Sequence, residues 1–176
     1  MNENNNVTVA FDGHDGAGKT TLAKLLVSEI DGVFVRPFAN NNGVSLIDAF
    51  EKGDNNFTMQ LGRSLIQDVY NNHSKKTLVF DRHWMTVLSL IDEKYWANWS
   101  YFPQTILCWA DLKTTKERLN IRAERKYDES YHKYYLGIYK KLAEKFNILV
   151  IDTSNMSTPH CLNKIISWVN DKKIKL

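Results

Sequence analysis

A glycine-rich stretch near the start of the chain has the residue types and the spacing to hold phosphate. Gly13 is followed by four residues and then by Gly18, Lys19 and Thr20, which is the pattern G-x-x-x-x-G-K-[ST]. Backbone N–H groups of such a loop can hold phosphate oxygens, the lysine can reach the β- and γ-phosphates, and the threonine hydroxyl can bind Mg²⁺. The alternative is a glycine turn that only joins two elements.

The residues on either side of this loop favour the phosphate-binding interpretation. The run VTVAF (7–11) is apolar, β-branched and short, which is typical of a buried parallel strand. After the loop, three leucines and Ile30 recur at helical spacing, and a helix there would direct the positive end of its dipole at the phosphates. We therefore predict an ATP-binding segment made of Gly13, His14, Asp15, Gly16, Ala17, Gly18, Lys19, Thr20 and Thr21.

A pair of oppositely charged residues follows another apolar run, TLVF. Asp81 ends this run, and an acid at that place in phosphate-loop enzymes lies beside the Mg²⁺ site of Thr20, usually through water. Neighbouring residues at a strand end point in different directions, so Arg82 can face a second ligand. A kinase needs such an arginine to hold an acceptor phosphate against the donor. The alternative is an ion pair at the strand end.

The segment ERLNIRAERKYDES (117–130) is strongly basic. Arg118, Arg122 and Arg125 lie four and three residues apart, roughly on one helical face, and Lys126 follows. Phosphoryl-transfer enzymes of this architecture carry a mobile lid after the fourth strand, and lid arginines can neutralise charge on the transferred group. We predict a lid at about 122–130, with Arg122, Arg125 and Lys126 as catalytic candidates. A solvated helix face is the alternative.

The order of apolar and helix-like segments indicates how these residues are positioned. Short strand-like runs alternate with longer helix-like stretches, which predicts an α/β fold whose five-stranded parallel sheet is flanked by helices. Such a sheet binds its ligand at the carboxyl ends of the strands, where Arg36 and Asp81 would lie. The predicted strands are 7–11, 33–36, 77–81, 105–111 and 148–152, and the predicted helices are 19–30, 44–52, 57–72, 84–94, 112–125, 129–145 and 158–172. Turns are expected at 40–43, 53–56 and 71–74.

Composition limits the classes of protein to consider. The 176 residues suit one domain, and the net charge of +3 is too small to argue for nucleic acid or membrane partners. Cys108 and Cys161 suggest reduced packing residues rather than a disulfide framework. The polar leader at 1–6 has no signal-peptide features and no apolar run approaches membrane-spanning length, so we expect a cytoplasmic protein.

Taken together, the segments FDGHDGAGKTTLAKLL, FDRHW and ERLNIRAERKYDES resemble thymidylate kinases, within the nucleoside monophosphate kinases. The resemblance implies one P-loop kinase domain over 1–176 with a short lid, and Mg²⁺ with ATP as the phosphoryl donor. The implied acceptor is a pyrimidine deoxynucleoside monophosphate, dTMP first, which would give dTDP. The cluster YWANWSYF (95–102) suggests either a homodimer surface, since the family pairs through helices in this region, or ordinary core packing.

The resemblance also assigns roles to residues near the acceptor. It implies that Asp15 meets the 3′-hydroxyl of the acceptor sugar and the lid arginines, and that Arg36 and Arg82 lie near the acceptor phosphate. Thr86 matches a small hydroxyl residue that follows the Asp-Arg pair in the family.

Recognition of the base is where the sequence departs most from the family. Arg63 matches an arginine that bonds the acceptor base, and Met59 stands where the family usually stacks a phenylalanine. An arginine facing O4 of thymine or uracil would lose its partner at the amino group of cytosine. We therefore expect dTMP and dUMP to be preferred to dCMP, with purine monophosphates excluded by size.

Two alternative functions, a deoxynucleoside kinase and a GTP-dependent switch, predict different sequence motifs. A deoxynucleoside kinase would act on a 5′-hydroxyl and needs a carboxylate base, commonly from a Glu-Arg-Ser stretch where this chain has DRH (81–83). A GTP-dependent switch should carry Asn-Lys-x-Asp late in the chain, and NKII (163–166) lacks the acid. The nucleoside kinase is the closer alternative.

Overall fold

A computed structural model describes residues 7–121 and 127–173 and places the five apolar runs side by side in one sheet. All pairings are parallel and the strand order is β2-β3-β1-β4-β5, which confirms the predicted fold class. Parallel strands covered on both faces need apolar side chains on both, which explains why the runs are continuous rather than alternating. The strands are β1 (Thr8–Asp12), β2 (Val33–Val35), β3 (Leu78–Asp81), β4 (Gln104–Trp109) and β5 (Leu149–Asp152).

The register of the central strand sets the position of the candidate site. β1 pairs with β3 so that Phe11 lies opposite Asp81, and with β4 so that Asp12 lies opposite Leu107. The loop after β1 and the charged pair after β3 therefore leave the sheet at the same edge and at the same level.

Helices cover both faces of the sheet. Val9 and Phe11 of β1 join a core with α1 and α7, and Ala10 between them joins a core with α3, α4 and α6. Among the described residues, no helix is both long and apolar enough to cross a bilayer. The helices are α1 (Lys19–Ile30), α2 (Asn41–Glu51), α3 (Asn55–Asn72), α4 (Trp84–Leu88), α5 (Leu112–Ile121), α6 (Glu129–Lys145) and α7 (Thr158–Lys173).

The single helix predicted over 84–94 is wrong. α4 ends at Leu88, and a separate 3₁₀ turn spans Glu93–Asn98. The buried indole of Trp96 explains the break, because its Nε1 donates to the carbonyl of Leu88 at 2.9 Å, a group that a longer helix would need. Trp96 and Trp99 are both buried, so for these two residues of the aromatic cluster core packing is the correct alternative.

Other helix boundaries differ less from the predictions. α2 begins at Asn41, where a turn was predicted, and α3 begins at Asn55, two residues early. The start of α3 has a clear cause, because the Asp54 carboxylate accepts the N–H of Phe57 at 3.0 Å as a helix cap. The predicted helix at 129–145 matches α6, and the last residues of the one predicted over 112–125 lie outside the described residues.

The two cysteines are packing residues, as predicted. Cys108 and Cys161 are buried and free, and burial raises the pKa of the Cys108 thiol to about 12. Such a thiol stays protonated and unreactive near neutral pH.

Candidate active site

The loop between β1 and α1 adopts a backbone that only glycine accepts without strain at key points. Gly13 has φ 140°, and a Cβ there would lie 2.1 Å from the carbonyl oxygen of Cys108 on β4. Glycine thus lets the loop pass directly over the neighbouring strand. The loop borders a polar cavity of about 170 Å³, here called the phosphate cavity, which is lined by Asp15, Gly16, Gly18, Lys19, Thr20, Arg36, Asp81 and Arg82.

Lys19 is held inside the loop. Its ammonium donates to the carbonyl of His14 at 2.8 Å and lies 4.0 Å from a carboxylate oxygen of Asp15. Burial, helped by the positive charge of Arg82, lowers the pKa of Lys19 to about 8. An anion entering the phosphate cavity would favour the charged ammonium and could replace the loop's own carbonyl as its partner.

Thr20 and Asp81 form a pair of hard oxygen donors. The Thr20 hydroxyl donates to Oδ2 of Asp81 at 2.6 Å, and Nε of Arg36 lies 3.3 Å from the same oxygen. Hydroxyl and carboxylate oxygens are the ligands that Mg²⁺ prefers, usually together with phosphate oxygens and water. The donor set therefore fits the predicted metal site.

Arg82 and Asp81 contact different partners, although both line the phosphate cavity. Nη2 of Arg82 forms an ion pair with Oδ1 of Asp15, and its Nη1 donates to the Thr86 hydroxyl at 3.4 Å. Burial alone would lower the pKa of Arg82, but Asp15, Tyr139, Asp81 and Asp12 together outweigh it, and the pKa lies above its usual value. The guanidinium is thus charged and held across the loop.

A second cavity, of about 250 Å³, lies between α2 and α6 and is here called the α2–α6 cavity. Asp15 and Arg82 line both this cavity and the phosphate cavity, so their ion pair stands where the two meet. The other lining residues are mostly apolar or aromatic: His14, Phe38, Gly43, Leu46, Ile47, Thr86, Ser89, Leu90, Tyr131, Tyr135 and Tyr139.

His14 joins the loop to α6. Its ring stacks parallel to that of Tyr135 at 5.9 Å, and its Nε2 lies 2.8 Å from Nδ1 of His132. Burial lowers the pKa of His14 to about 4, so the ring is neutral at physiological pH. Sequence reasoning counted His14 only as a loop position, because the α6 partners lie more than a hundred residues away.

Asp12 is a buried acid that sequence reasoning missed. It ends β1 directly before Gly13, and it accepts backbone N–H groups of His83, Met85 and Thr86. Burial raises the pKa of Asp12, and these hydrogen bonds oppose that effect. An acid closing an otherwise apolar strand was the available signal.

The structure does not bring Arg63 and Met59 to the α2–α6 cavity. Met59 is 5% exposed and packs in the hydrophobic core. The Arg63 guanidinium lies over the ring of Trp99 and donates to the carbonyl of Asn98. It borders a separate cavity of about 550 Å³ together with Tyr70 and other aromatic residues.

The basic segment is described only in part, since Arg122, Arg125 and Lys126 lie outside the described residues. Arg118 does not lie on a free helix face: its Nη1 donates to the carbonyl of Gly16 at 3.0 Å, and its Nη2 to that of Thr153 at 2.7 Å. Arg118 thus ties α5 to both the phosphate loop and the loop after β5. Arg118 and Thr153 border a further cavity of about 260 Å³ together with Gly18 and Thr21.

No family model matches the chain, but single proteins do. A curated relative from Methanocaldococcus jannaschii, named probable thymidylate kinase, is 25% identical over 94% of this chain and 97% of its own length. Deoxyadenosine kinase from M. mycoides with bound dATP superposes with a TM-score of 0.68 at 14% identity, covering 93% of this chain and 99% of that one. Thymidylate kinase from Candida albicans superposes with a TM-score of 0.65 at 12% identity, covering 95% and 92%.

These likenesses confirm the predicted resemblance and the fold. The chain is similar to thymidylate kinases, and it is a phosphotransferase with the architecture of P-loop nucleoside monophosphate kinases. The two structural likenesses concern the fold alone and do not separate monophosphate kinases from nucleoside kinases.

Proposed function

We propose that this phosphotransferase, similar to thymidylate kinases, moves the γ-phosphoryl group of ATP to a pyrimidine deoxynucleoside monophosphate, with dTMP as the first candidate and dTDP as the product. The observation that carries the proposal is the Asp15–Arg82 ion pair, which borders both the phosphate cavity and the α2–α6 cavity. A donor in the first and an acceptor in the second would meet at this guanidinium.

The charges around the phosphate cavity suit two phosphates brought together. Lys19, Arg36 and Arg82 all line it, against the carboxylates of Asp15 and Asp81. Phosphoryl transfer needs little covalent help from the protein, because the main barrier is holding two anions in line and screening the charge that develops. Cations fixed before the reaction supply that screening without reorganisation.

Each residue would have a distinct task. Lys19 would exchange the His14 carbonyl for a phosphate oxygen, and Thr20 and Asp81 would hold Mg²⁺ with the donor phosphates. When bound, Mg²⁺ neutralises charge on the β- and γ-phosphates. Arg82, fixed by Asp15, would hold the acceptor phosphate, and no covalent intermediate is required.

The same geometry favours a phosphate over a bare hydroxyl as the acceptor. A nucleoside kinase needs a carboxylate to receive the proton of the 5′-hydroxyl. The two carboxylates that line the phosphate cavity are both engaged with guanidinium groups, Asp15 with Arg82 and Asp81 with Arg36. These contacts support a monophosphate acceptor, and the nucleoside kinase remains the alternative to test.

Selection of the base would come from the walls of the α2–α6 cavity. Its volume of about 250 Å³ and its apolar side chains, such as Phe38, Leu46 and Leu90, support a pyrimidine rather than a purine. Discrimination of dTMP from dCMP by Arg63 has no support from this structure, because Arg63 contacts Trp99 and Asn98 instead. The homodimer and the cytoplasmic location stay predictions.

A coupled ADP-release assay with a panel of nucleosides and nucleoside monophosphates tests the proposal. We expect turnover with dTMP above that with thymidine, and little with purine monophosphates. Lys19→Ala should be inactive, whereas Lys24→Ala, a change on the outer side of the same helix, should be active. Faster turnover of thymidine than of dTMP would favour the nucleoside kinase, and no turnover of any monophosphate would refute the proposed function.

A further inference from the structure

Asp12 lies below the site without lining either cavity, yet it contacts the turn that carries Arg82. We propose that Asp12 is a positioning residue: it holds the turn between β3 and α4 so that the Arg82 side chain faces the point where the two cavities meet. This role rests on the proposed function, because that function places the acceptor phosphate on Arg82.

The Asp12 carboxylate accepts four hydrogen bonds from residues of this turn. Its Oδ1 accepts the backbone N–H groups of His83 and Thr86, each at 3.1 Å, and the Thr86 hydroxyl at 2.7 Å. Its Oδ2 accepts the N–H of Met85 at 3.2 Å. An ionised carboxylate only accepts hydrogen bonds and offers about four lone-pair sites, so it matches four converging donors better than an amide or a hydroxyl would.

The turn needs this support because of the backbone at Arg82. Arg82 has φ 78°, a left-handed conformation that side chains other than glycine rarely adopt. Such a residue keeps its conformation only when its surroundings over-determine it. Here the N–H of Arg82 donates to the carbonyl of Phe11 at 2.9 Å, and the next N–H, of His83, donates to Asp12. The peptide groups on both sides of Arg82 are therefore tied to β1.

The backbone conformation of Arg82 sets the direction of its side chain and therefore which ligand the guanidinium can bind. Released from Asp12, the peptide after Arg82 could rotate towards an ordinary conformation, which would move the side chain off Asp15 and out of the shared wall of the cavities. Loss of the carboxylate should therefore weaken binding of the acceptor monophosphate, while the contacts of Lys19 and Thr20 with ATP stay in place. A carboxylate that only stabilised a buried turn would have no such selective effect.

The test compares Asp12→Asn with a matched change elsewhere. In Asp12→Asn the amide oxygen can keep the three donors on Oδ1, while the amide nitrogen meets the N–H of Met85, donor against donor. Asp54→Asn is the control, because Asp54 also accepts a backbone N–H, that of Phe57, but lines neither cavity. KM for ATP, KM for dTMP, kcat and Tm are measured for both variants and the wild type.

We expect Asp12→Asn to raise KM for dTMP about tenfold and to change KM for ATP by less than about twofold, with both values unchanged in Asp54→Asn. In an Arg82→Ala background, Asp12→Asn should add little, because it acts through a side chain already removed. An equal effect on both substrates, or the same fold-change in both backgrounds, would overturn the role.

Two further results keep the outcome decisive. If Asp12→Asn does not fold, Asp12→Glu replaces it in the same comparison. This variant keeps the charge and both acceptor oxygens but displaces them by a methylene. The same selective rise in KM for dTMP is expected of it, and an equal effect on both substrates would overturn the role. A wild-type chain active on dTMP with an unaffected Asp12 variant overturns only the role of Asp12. A wild-type chain that turns over no monophosphate overturns the proposed function first.

Discussion

Gly62 and Gly137 are both glycines inside helices, yet alanine at the two positions should have opposite effects on stability. In a helix interior, replacing glycine by alanine normally stabilises by up to about 1 kcal/mol. Gly137 in α6 has open space where the Cβ would be. Gly137→Ala should therefore gain about 0.5–1 kcal/mol in free energy of unfolding.

At Gly62 in α3 the same methyl group meets α4. Its Cβ would lie 2.5 and 2.7 Å from the two terminal carbons of Val87, well inside ordinary contact. Val87 is fully buried, and a β-branched side chain has few rotamers into which to move. Overpacking of this kind costs about 1–3 kcal/mol, which exceeds the gain in helix propensity. Gly62→Ala should therefore lose about 1 kcal/mol.

Urea unfolding of the two variants beside the wild type measures the difference, which should be about 2 kcal/mol between them. Val87→Ala is the internal check: in the Gly62→Ala background it should cost clearly less than in the wild type, because the new methyl group fills part of the space. If Gly62→Ala is stabilised as much as Gly137→Ala, the close packing of α3 on α4 is refuted.

Three further predictions concern the charged groups of the site. Lys19→Ala should abolish phosphoryl transfer with an unchanged circular dichroism spectrum, and near wild-type turnover would remove the phosphate-loop assignment. Arg82→Ala should weaken binding of a monophosphate by about 1.5–3 kcal/mol in competition assays and that of the nucleoside much less; equal losses would point to a structural ion pair. The third is a pH dependence: burial lowers the pKa values of His14 and His83 to about 4 and about 3, against an ordinary 6.5, so the unfolded chain takes up protons first on acidification. From pH 7 to pH 5 the free energy of unfolding should fall, with a slope that approaches about 1.4 kcal/mol per histidine per pH unit below pH 6.5 and levels off near the pKa of each folded histidine, and a flat curve over this range would contradict the burial of both rings.

The features predicted correctly from the sequence are the ones encoded by neighbouring residues. The phosphate loop needs glycines, Lys19 and Thr20 at a fixed local spacing, and the sheet needs short apolar runs, so both can be read along the chain. Asp81 and Arg82 contact different partners, Arg36 and Asp15, which fits the local expectation that neighbours at a strand end point in different directions.

What differed from the predictions or was missed depends on the contacts of particular side chains. The break after Leu88 comes from the indole of Trp96, eight residues further on. Arg63 contacts Asn98 and Trp99 and does not line the α2–α6 cavity. Periodicity and family likeness place such residues on a helix, but they do not tell which of several neighbours a long side chain will choose.

The sequence by itself therefore determined the class of chemistry, because a phosphate loop, the candidate magnesium ligands beside it and the arginine after the third strand are specified by the types and order of residues. Only the tertiary structure decided which groups the guanidinium of Arg82 contacts. Asp12 and the turn it holds are 71 or more residues apart, and they meet because β1 and β3 pair in a register that places Phe11 opposite Asp81. The left-handed backbone of Arg82 lies between two peptide groups that are hydrogen-bonded to β1. Such a conformation depends on surroundings that over-determine it, and those surroundings come from residues distant in the chain.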